Sequence, residues 1–221
     1  MAGSIMNDIQ ELQRLASPAP KPQSLAWDGA TLWMGSIETQ RVYAINPATW
    51  KVSWETAAPG KPWGMAAVNG ELRVICGETG EDHRIIRRCL PGHGFDAGFG
   101  IPCPDDCGSQ LGWDGRRLHV SQWHPQKVLT LGDDGQVERV ISIPHGICGQ
   151  VFVNGIIFLV TTDAEESTDY WLTRVDPRPA TPRIDDLARI PFAARALAFD
   201  GTRFWTNHRE KHQIVSFARP E

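Results

Sequence analysis

The sequence predicts an all-β fold: a single five-bladed β-propeller, closed by its N-terminal strand, in one domain over residues 1–221. A first observation is a motif that occurs five times, in which apolar residues run into Asp-Gly or Asn-Gly and out into another apolar segment. A second is the spacing of the turn glycines, which follow one another after 41, 45, 40 and 46 residues. A repeat of about 40–45 residues built around a hairpin turn is typical of a propeller blade. The motifs end at Gly29, Gly70, Gly115, Gly155 and Gly201.

Each repeat is expected to form four strands. In the first repeat the strands match SLAW, TLWMGS, RVYAIN and KVSWET, and Pro-rich connectors such as TAAPGKPWG lead from one blade to the next. The Asp-Gly and Asn-Gly pairs predict two-residue hairpin turns, because both central residues of such turns take positive φ. The Gly-rich stretch Gly92–Gly100 in the second repeat is expected to be a long or mobile excursion. The predicted blades cover residues 24–63, 64–109, 110–149, 150–195 and 196–218.

The N-terminal segment is predicted to complete the last blade. The fifth repeat ends after its third strand, Gln213–Ala218, and so lacks a fourth. Residues 9–18 resemble the outer-strand segments QVERVISIP and DDLARIP of other repeats, and pairing there would leave no gap between the first and last blades. The alternative is an amphipathic helix over residues 6–15. Residues 1–8 are expected to be a tag or disordered chain.

Composition restricts the partners. A formal net charge of −4 without a basic tract argues against nucleic acid, and no apolar run reaches membrane-spanning length, so no membrane partner is expected. Five irregularly spaced cysteines argue for free thiols in a reducing compartment, and hence for a cytoplasmic protein. The alternative is a signal peptide that has been removed, because the residues ahead of Met6 are typical of an added tag. We expect a monomer.

The repeats resemble a known group of propellers. The turns of the form xLxWDGxxLW and the segment INPATWKV are similar to those of YVTN-like, quinoprotein-dehydrogenase-like and glutamine-cyclotransferase-like propellers. Among these, the glutamine cyclotransferases are also five-bladed. Aligned on that family's motifs, Gln23 matches its first-strand Gln, whereas Gly64 stands where the family carries its catalytic Glu. The resemblance therefore implies the fold over nearly the whole chain, and not cyclisation of N-terminal glutamine.

One face of the propeller is expected to carry the functional site. The loops between second and third strands and the blade connectors share the face around one channel mouth, whereas the Asp-Gly and Asn-Gly turns lie on the other, which we expect to be structural only. Six residues after an apolar position of each second strand stands an ionisable residue, and these five are the predicted catalytic residues. They are Glu38, Glu78, His124, Asp163 and Glu210. The alternative is that they are ordinary solvated loop tips.

Converging carboxylates would repel one another, which raises their pKa values toward those of a general acid or base. The same cluster would hold a divalent cation such as Ca²⁺ or Mg²⁺. Further residues of this face are predicted to bind the ligand, with the two tryptophans stacking against it. They are Gln23, Lys61, Trp63, Trp123, His145, Arg195 and His208.

The sequence thus predicts binding of a small molecule or peptide end at the channel mouth. One hypothesis adds acid–base chemistry of the lyase, cyclase or hydrolase type, using His124 and the ring carboxylates. The alternative is a non-catalytic propeller that binds a ligand or a protein. The sequence leaves open whether the protein is an enzyme.

Overall fold

The structure is a computed structural model that describes residues 6–164 and 166–220. Within these residues, twenty strands form five four-stranded antiparallel sheets, and the prediction of a five-bladed propeller is confirmed. Blade 1 contains β2 (Pro22–Trp27), β3 (Leu32–Ser36), β4 (Arg41–Asn46) and β5 (Lys51–Ala57). Blade 2 contains β6 (Lys61–Val68), β7 (Glu71–Glu78), β8 (His83–Leu90) and β9 (Gly94–Pro102).

The remaining blades follow the same order from the inner to the outer strand. Blade 3 contains β10 (Gln110–Trp113), β11 (Leu118–Gln122), β12 (Lys127–Leu131) and β13 (Val137–Ser142). Blade 4 contains β14 (Gly146–Val153), β15 (Ile156–Thr162), β16 (Tyr170–Asp176) and β17 (Arg183–Ile190). Blade 5 contains β18 (Ala194–Phe199), β19 (Arg203–His208), β20 (Gln213–Ala218) and, from the start of the chain, β1 (Glu11–Ala16).

The core lies between the blades. The innermost strands β2, β6, β10, β14 and β18 contact one another in a ring around the central axis. Five apolar clusters fill the five spaces between neighbouring sheets. In the space between blades 5 and 1, for example, Leu32 and Met34 pack against Trp205 and Ile214. Each sheet is therefore buried on both faces by its neighbours, which removes most of its apolar surface from water.

The N-terminal segment closes the ring, as predicted. Strand β1 pairs antiparallel with β20, so the helix expected as the alternative does not form. Ahead of β1 the chain also reaches blade 4, where the Asp8 carboxylate lies 2.7 Å from the Arg189 guanidinium. The Ile9 amide donates to the Arg189 carbonyl, and the Ile9 side chain is buried. Of the residues expected to be tag or disordered, Asn7 and Asp8 thus pair with blade 4, and residues 1–5 lie outside the described residues.

The turns between the first two strands are of two kinds. Asn69-Gly70 and Asn154-Gly155 are two-residue turns with positive φ at all four positions, as predicted. The same prediction is wrong for the Asp-Gly pairs, which begin four-residue loops. Because Trp27 pairs with Leu32, residues 28–31 lie outside the ladder. The Asp28 carboxylate closes this loop by accepting hydrogen bonds from the backbone N–H groups of Ala30 and Thr31. This arrangement is an Asx turn, and it explains the aspartate at this position without a positive φ.

The aspartates of the three Asp-Gly loops have a second role. One carboxylate oxygen accepts the backbone N–H groups, and the other lies within hydrogen-bond distance of an aromatic ring nitrogen five residues on. The pairs are Asp28–Trp33 at 2.6 Å, Asp114–His119 at 3.0 Å and Asp200–Trp205 at 2.8 Å. Each loop is thereby tied to the second strand, whose ring packs in the space between blades. A single Asp thus closes the turn and satisfies a buried ring nitrogen.

The Gly-rich stretch of blade 2 forms the outer strand of the blade and contains a local excursion where the sequence predicts one. The chain turns at residues 91–93 and enters β9, which pairs with β8, but residues 96–99 bulge out of the ladder opposite Arg88. Phe99 anchors this outer strand, because the guanidinium groups of Arg73 and Arg88 lie 4.8 and 5.0 Å from its ring centroid. Elsewhere, no helix in the described part of the chain has the length and apolar character needed to cross a membrane.

We predict that Asp200→Asn destabilises the protein by about 1–3 kcal/mol at neutral pH, because the amide cannot accept from both the backbone N–H groups and the Trp205 indole. Burial alone would raise the Asp200 pKa, but hydrogen bonds from Arg203, Trp205 and Thr202 outweigh it and hold the pKa well below its usual 3.8. The contribution is therefore present above pH 3.8 and is lost as pH falls through the lowered pKa. Denaturant unfolding at several pH values measures this.

Asp133→Asn is the matched control, since Asp133 lies in a turn, has a 91% exposed side chain and pairs with Arg117 at the surface. Its effect on the free energy of unfolding is expected to stay within about 0.5 kcal/mol. Equal unfolding free energies for the two variants would contradict the assigned role of Asp200.

Candidate functional site

Strand register shows which residues of the five blades are equivalent. In each blade, one inner-strand residue pairs with the second-strand residue five positions further along the chain, and these residues form one layer. They are Trp27, Ala67, Trp113, Phe152 and Phe199. Blades 2 and 4 have two-residue turns, whereas the other blades have four-residue loops. Counting residues back from the turn glycine therefore misaligns these two groups of blades by one residue. Counting four residues back from this layer gives a corrected set. That set is Gln23, Trp63, Ser109, Cys148 and Arg195.

This set differs from the sequence alignment at Gly64, which is not the counterpart of Gln23. Gly64 and Gly149 belong to the next layer, where neighbouring inner strands approach each other. A Cβ atom at Gly64 would lie 2.5 Å from the Gln110 Cα, and one at Gly149 would lie 2.5 Å from the Ala196 carbonyl carbon. These glycines are thus required by close backbone packing. The register-corrected position in blade 2 is Trp63, so the carboxylate that the family resemblance requires is absent there as well.

β-Bulges lie at or beside four of the five members of the corrected set. The inner strands change register around Gln23, Trp63 and Cys148, and again directly after Arg195. A bulge inserts an unpaired residue and re-aims side chains away from the regular pleat. In blade 3, Ser109 stands just ahead of β10, where its amide donates to the Ser121 carbonyl. All five side chains consequently face the same cavity.

The cavity at this mouth has a volume of about 380 Å³. All five members of the corrected set line it, so each blade contributes one side chain from its inner strand. Loops, connectors and strand ends supply the rest of the wall: Glu81, Asp82, Arg84, Asp106, Cys107, Gly108, Gln110, Trp123, His124, Ile147 and Arg209. The arrangement combines two indole rings, carboxamides, guanidinium groups and acids around a space large enough for a small molecule.

The blade 2 wall is fixed by a network around Trp63. Its indole nitrogen donates to the Asp82 carboxylate at 3.1 Å, and the Arg84 guanidinium lies 4.0 Å from its ring centroid. Arg84 also pairs with Asp82 at 2.8 Å and donates to the Gly108 carbonyl. Gly77 makes room, since a Cβ atom there would lie 2.7 Å from the indole nitrogen. The indole is therefore held in one orientation before any ligand arrives.

A second link fixes the connector that carries Cys107 and Ser109. Asp106 accepts a hydrogen bond from the Arg84 backbone amide and contacts His83 Nδ1 at 2.5 Å. The Asp106 contact is the main cause that raises the pKa of His83, and the same contact lowers the pKa of Asp106. Burial raises the pKa of the Cys107 thiol, so this group on the wall is not an activated nucleophile.

The opposite side of the cavity is formed by Gln23 and blade 5. Arg209 donates to the Gln23 carboxamide oxygen at 3.1 Å and pairs with Glu210 at 3.0 Å. Arg195 is 7% exposed and donates to the Tyr170 hydroxyl and to the Ala194 carbonyl. Both guanidinium groups also line an adjoining cavity of about 370 Å³, which Glu210 shares. This side therefore presents donors suited to a carboxylate.

Trp123 and His124 complete the mouth on the blade 3 side. Their rings meet edge to face with centroids 4.6 Å apart. A Cβ atom at Gly146 would lie 2.8 Å from the Trp123 ring, so this glycine leaves the indole room to lie against the connector. Two of the predicted ligand-stacking or catalytic side chains thus stand side by side on the wall.

The five predicted catalytic residues do not converge. His124 lines the mouth cavity, and Glu210 lines the adjoining one. Glu38 is exposed at its loop tip. Glu78 pairs with Arg87 through both oxygens, at 2.6 and 2.8 Å, and Asp163 contacts His145 at 2.5 Å. The positions are equivalent in register, but their loops differ in length and sequence, and the carboxylates find separate partners.

The predicted ligand-binding residues divide in the same way. Gln23, Trp63, Trp123 and Arg195 line the mouth cavity. Three others do not. Lys61 lies half-buried at the start of β6. His145 contacts Asp163 and Asp186, and its ring lies 4.9 Å from the Trp171 ring in a tilted arrangement. His208 stacks on Phe192 at 5.4 Å, and burial lowers its pKa.

Sequence reasoning missed several wall residues. Arg84, Gln110 and Arg209 were not candidates, because each lies at a strand end and has no counterpart repeated in the other blades. The five mouth residues of the corrected set could be found by counting four residues back from the layer that contains Trp27. The two types of turn hide this equivalence in the sequence. No group of three or more His, Cys, Asp or Glu side chains in the described residues is arranged to hold a metal ion. The five cysteines, all within the described residues, form no disulfide, and Cys107 alone among them is partly exposed.

We predict that the His83 imidazole titrates above its ordinary pKa of 6.5, and that Asp106→Asn returns its pKa toward that value. The stabilising charge pair is then fully present below pH 6.5 and is lost as pH rises through the raised pKa of His83. On the acid side it is lost as pH falls through the lowered pKa of Asp106. An NMR titration of the His83 ring in both proteins measures the midpoints, and identical midpoints would contradict the pairing.

The comparisons with known proteins establish the fold. No protein-family model and no curated protein matches the sequence. Among solved structures, the chain is similar to Myxococcus xanthus glutaminyl cyclase, with a TM-score of 0.70 and 10% identity over 96% of this chain and 100% of that one. It is also similar to the PQQ-bound aldose sugar dehydrogenase of Streptomyces coelicolor, with a TM-score of 0.57 and 14% identity over 96% and 98% of the two chains.

A third similar structure is Kuenenia stuttgartiensis hydrazine synthase, with a TM-score of 0.56 and 14% identity over 99% of this chain and 80% of that one. At such identities the likeness concerns the fold alone. It confirms the predicted resemblance to glutamine-cyclotransferase-like and quinoprotein-dehydrogenase-like propellers at that level. The chain is a five-bladed propeller that shares the architecture of these proteins.

Proposed function

We propose that the protein binds a small molecule or a peptide end in the mouth cavity, with a planar group against the tryptophans and a carboxylate toward Arg209. The observation that carries the proposal is the corrected set. Five register-equivalent positions line one cavity with five different chemistries: carboxamide, indole, hydroxyl, thiol and guanidinium. Positions that served only the fold would be filled by similar side chains in every blade, as the apolar layers are.

The wall is suited to recognise two ligand groups at once. Trp63 is held by Asp82 and stacked by Arg84, so its ring loses little conformational freedom on binding. Across the cavity, Arg209 and the Gln23 carboxamide are joined by a hydrogen bond and offer donors for a carboxylate. An aromatic acid or the C-terminal end of a peptide combines these two features.

We predict that indole-3-acetate and N-acetyltryptophan raise the melting temperature of the protein, and that their neutral amides do so less. Ligand at a hundredfold excess over Kd adds about 2.7 kcal/mol, which corresponds to roughly 5–10 °C for a chain of this size. Arg209→Leu is expected to weaken binding of the acids about ten- to a hundredfold and of the amides little, since it removes a charged hydrogen bond. Trp123→Leu is expected to weaken all four probes.

Arg178→Leu is the matched control, because Arg178 pairs with Asp176 at an exposed turn away from the cavity. Calorimetric titration gives the affinities, and melting without ligand shows that each variant is folded. Binding of the acids that survives both Arg209→Leu and Trp123→Leu would overturn the proposal, as would the absence of any shift with all four probes.

Catalysis at the same site is the second candidate. The observation in its favour is that His124, a group suited to general acid–base chemistry, lines the cavity beside Trp123. Product analysis after long incubation with the bound probes and related peptides separates the two. Turnover that His124→Gln abolishes while leaving affinity intact would favour the enzyme, and unchanged probes would favour a binding protein.

The glutaminyl cyclase named among the similar structures suggests a specific test. The corrected set carries no carboxylate, in contrast to the catalytic Glu that the family resemblance implies. We therefore expect no cyclisation of a peptide with N-terminal glutamine above the uncatalysed rate. Mass spectrometry detects the loss of ammonia that such cyclisation requires.

A further inference from the structure

We propose a second binding site at the opposite mouth of the channel, for a small, neutral, planar molecule with adjacent hydrogen-bond donor and acceptor, such as a cyclic amide. This is the face of the Asp-Gly and Asn-Gly turns, which the sequence predicts to be structural only. The site is independent of the proposed function, since it shares no residue with the mouth cavity.

The cavity at this end has a volume of about 220 Å³ and is lined by the inner strands of all five blades. Four of the five register-equivalent residues at its rim are aromatic, and all four are half-buried. They are Trp27, Trp113, Phe152 and Phe199. None of the lining residues carries an ionisable side chain, so the cavity favours an uncharged occupant. A cavity of about 150 Å³ already accommodates benzene in another protein, so a single-ring molecule fits this volume.

Gln150 is the exception in an otherwise apolar layer of this cavity. Two residues ahead of the aromatic rim, the other four blades place Leu25, Met65, Leu111 and Leu197, each at most 2% exposed. Gln150 is likewise 2% exposed, and within the described residues neither its amide nitrogen nor its amide oxygen has a hydrogen-bond partner. A buried amide left unpaired is unfavourable because it has lost its hydrogen bonds to water, so an amide at this leucine position calls for a partner.

Gln150 is one of the residues that line the cavity, and a neighbouring glycine leaves room for its carboxamide. Gly112 lies beside it: a Cβ atom there would stand 2.6 Å from the Gln150 amide nitrogen and 2.9 Å from the Phe152 ring. Any other residue at Gly112 would thus displace the carboxamide. Phe152 in turn packs on His119, with ring centroids 4.3 Å apart. One donor and one acceptor therefore stand among aromatic rings, the pattern that a planar cyclic amide would complement.

The test uses 2-pyridone, a single ring with adjacent N–H and C=O groups, and toluene as the apolar probe of similar size. We expect 2-pyridone to bind more tightly than toluene in ligand-observed NMR titrations. Gln150→Leu installs the residue type of the other blades, so it is expected to fold and to melt no lower than the parent protein. In this variant 2-pyridone should bind about tenfold more weakly, with toluene little changed.

Arg209→Leu, at the other mouth, separates the two sites, because it should leave 2-pyridone binding unchanged whatever happens to the carboxylate probes. Three results would overturn the inference. They are absence of 2-pyridone binding, which would mean that water alone satisfies Gln150; equal affinity in Gln150→Leu; and a marked loss of stability in that variant, which would mean that the amide is bonded within the protein.

Discussion

Closure of the ring is the constraint on which the structure depends. Each sheet buries its two faces only because a neighbouring sheet packs on either side. Each apolar cluster accordingly contains residues from two neighbouring blades. An open ring would expose two such faces. The pairing of β1 with β20 provides the last blade with its outer strand and brings the two ends of the chain together. The link from Asp8 and Ile9 to Arg189 extends this closure to blade 4. The pairing of one strand, β1, thus stabilises the closed ring of five blades.

Closure also determines the geometry of both channel mouths. Five inner strands in contact around an axis leave little room between them, which explains glycine at positions 64 and 149, where a Cβ atom would meet the next strand. Directly ahead of these points the strands bulge, and the residue released from the ladder faces the mouth. The close packing of the inner strands and the exposure of side chains at the mouth therefore both result from crowding around the axis. The bulge lies where regular pairing can no longer continue.

Much of the fold followed from the sequence, because repeated turn glycines and apolar pairs are local signals that occur in every blade. The closing strand could be predicted from its likeness to outer strands. The Asp-Gly loops could not, since the role of Asp28 depends on Trp33, a partner defined only when the second strand has packed. That error shifted the alignment by one residue in blades 2 and 4. It placed Gly64, rather than Trp63, at the mouth.

The site was less predictable than the fold for a related physical reason. Ionisable residues at equivalent loop positions suggested a common cluster, yet Glu78 and Asp163 each found a nearer partner, Arg87 and His145. A charged side chain in a loop can pair with several nearby groups or with water. Charged residues at equivalent loop positions of the five blades therefore need not lie close together. Side chains released by the bulges have no such freedom, because the inner strands fix their origin and direction. Gln23 and Trp63 line the cavity for that reason.

The two mouths differ in chemistry although the backbone repeats. At one end the register-equivalent residues vary from indole to guanidinium, and at the other they are aromatic or small, with Gln150 alone polar in the layer beneath. In a repeat protein, the positions that maintain the fold have the same packing requirement in every blade. A binding site at the end of the central channel is formed only once, and each blade can contribute a different side chain to it. Departure from the repeat is therefore the observation on which both proposed sites rest. It applies to Gln150 as clearly as to Arg195, so the face of the turns and the mouth cavity are both surfaces on which to look for a ligand.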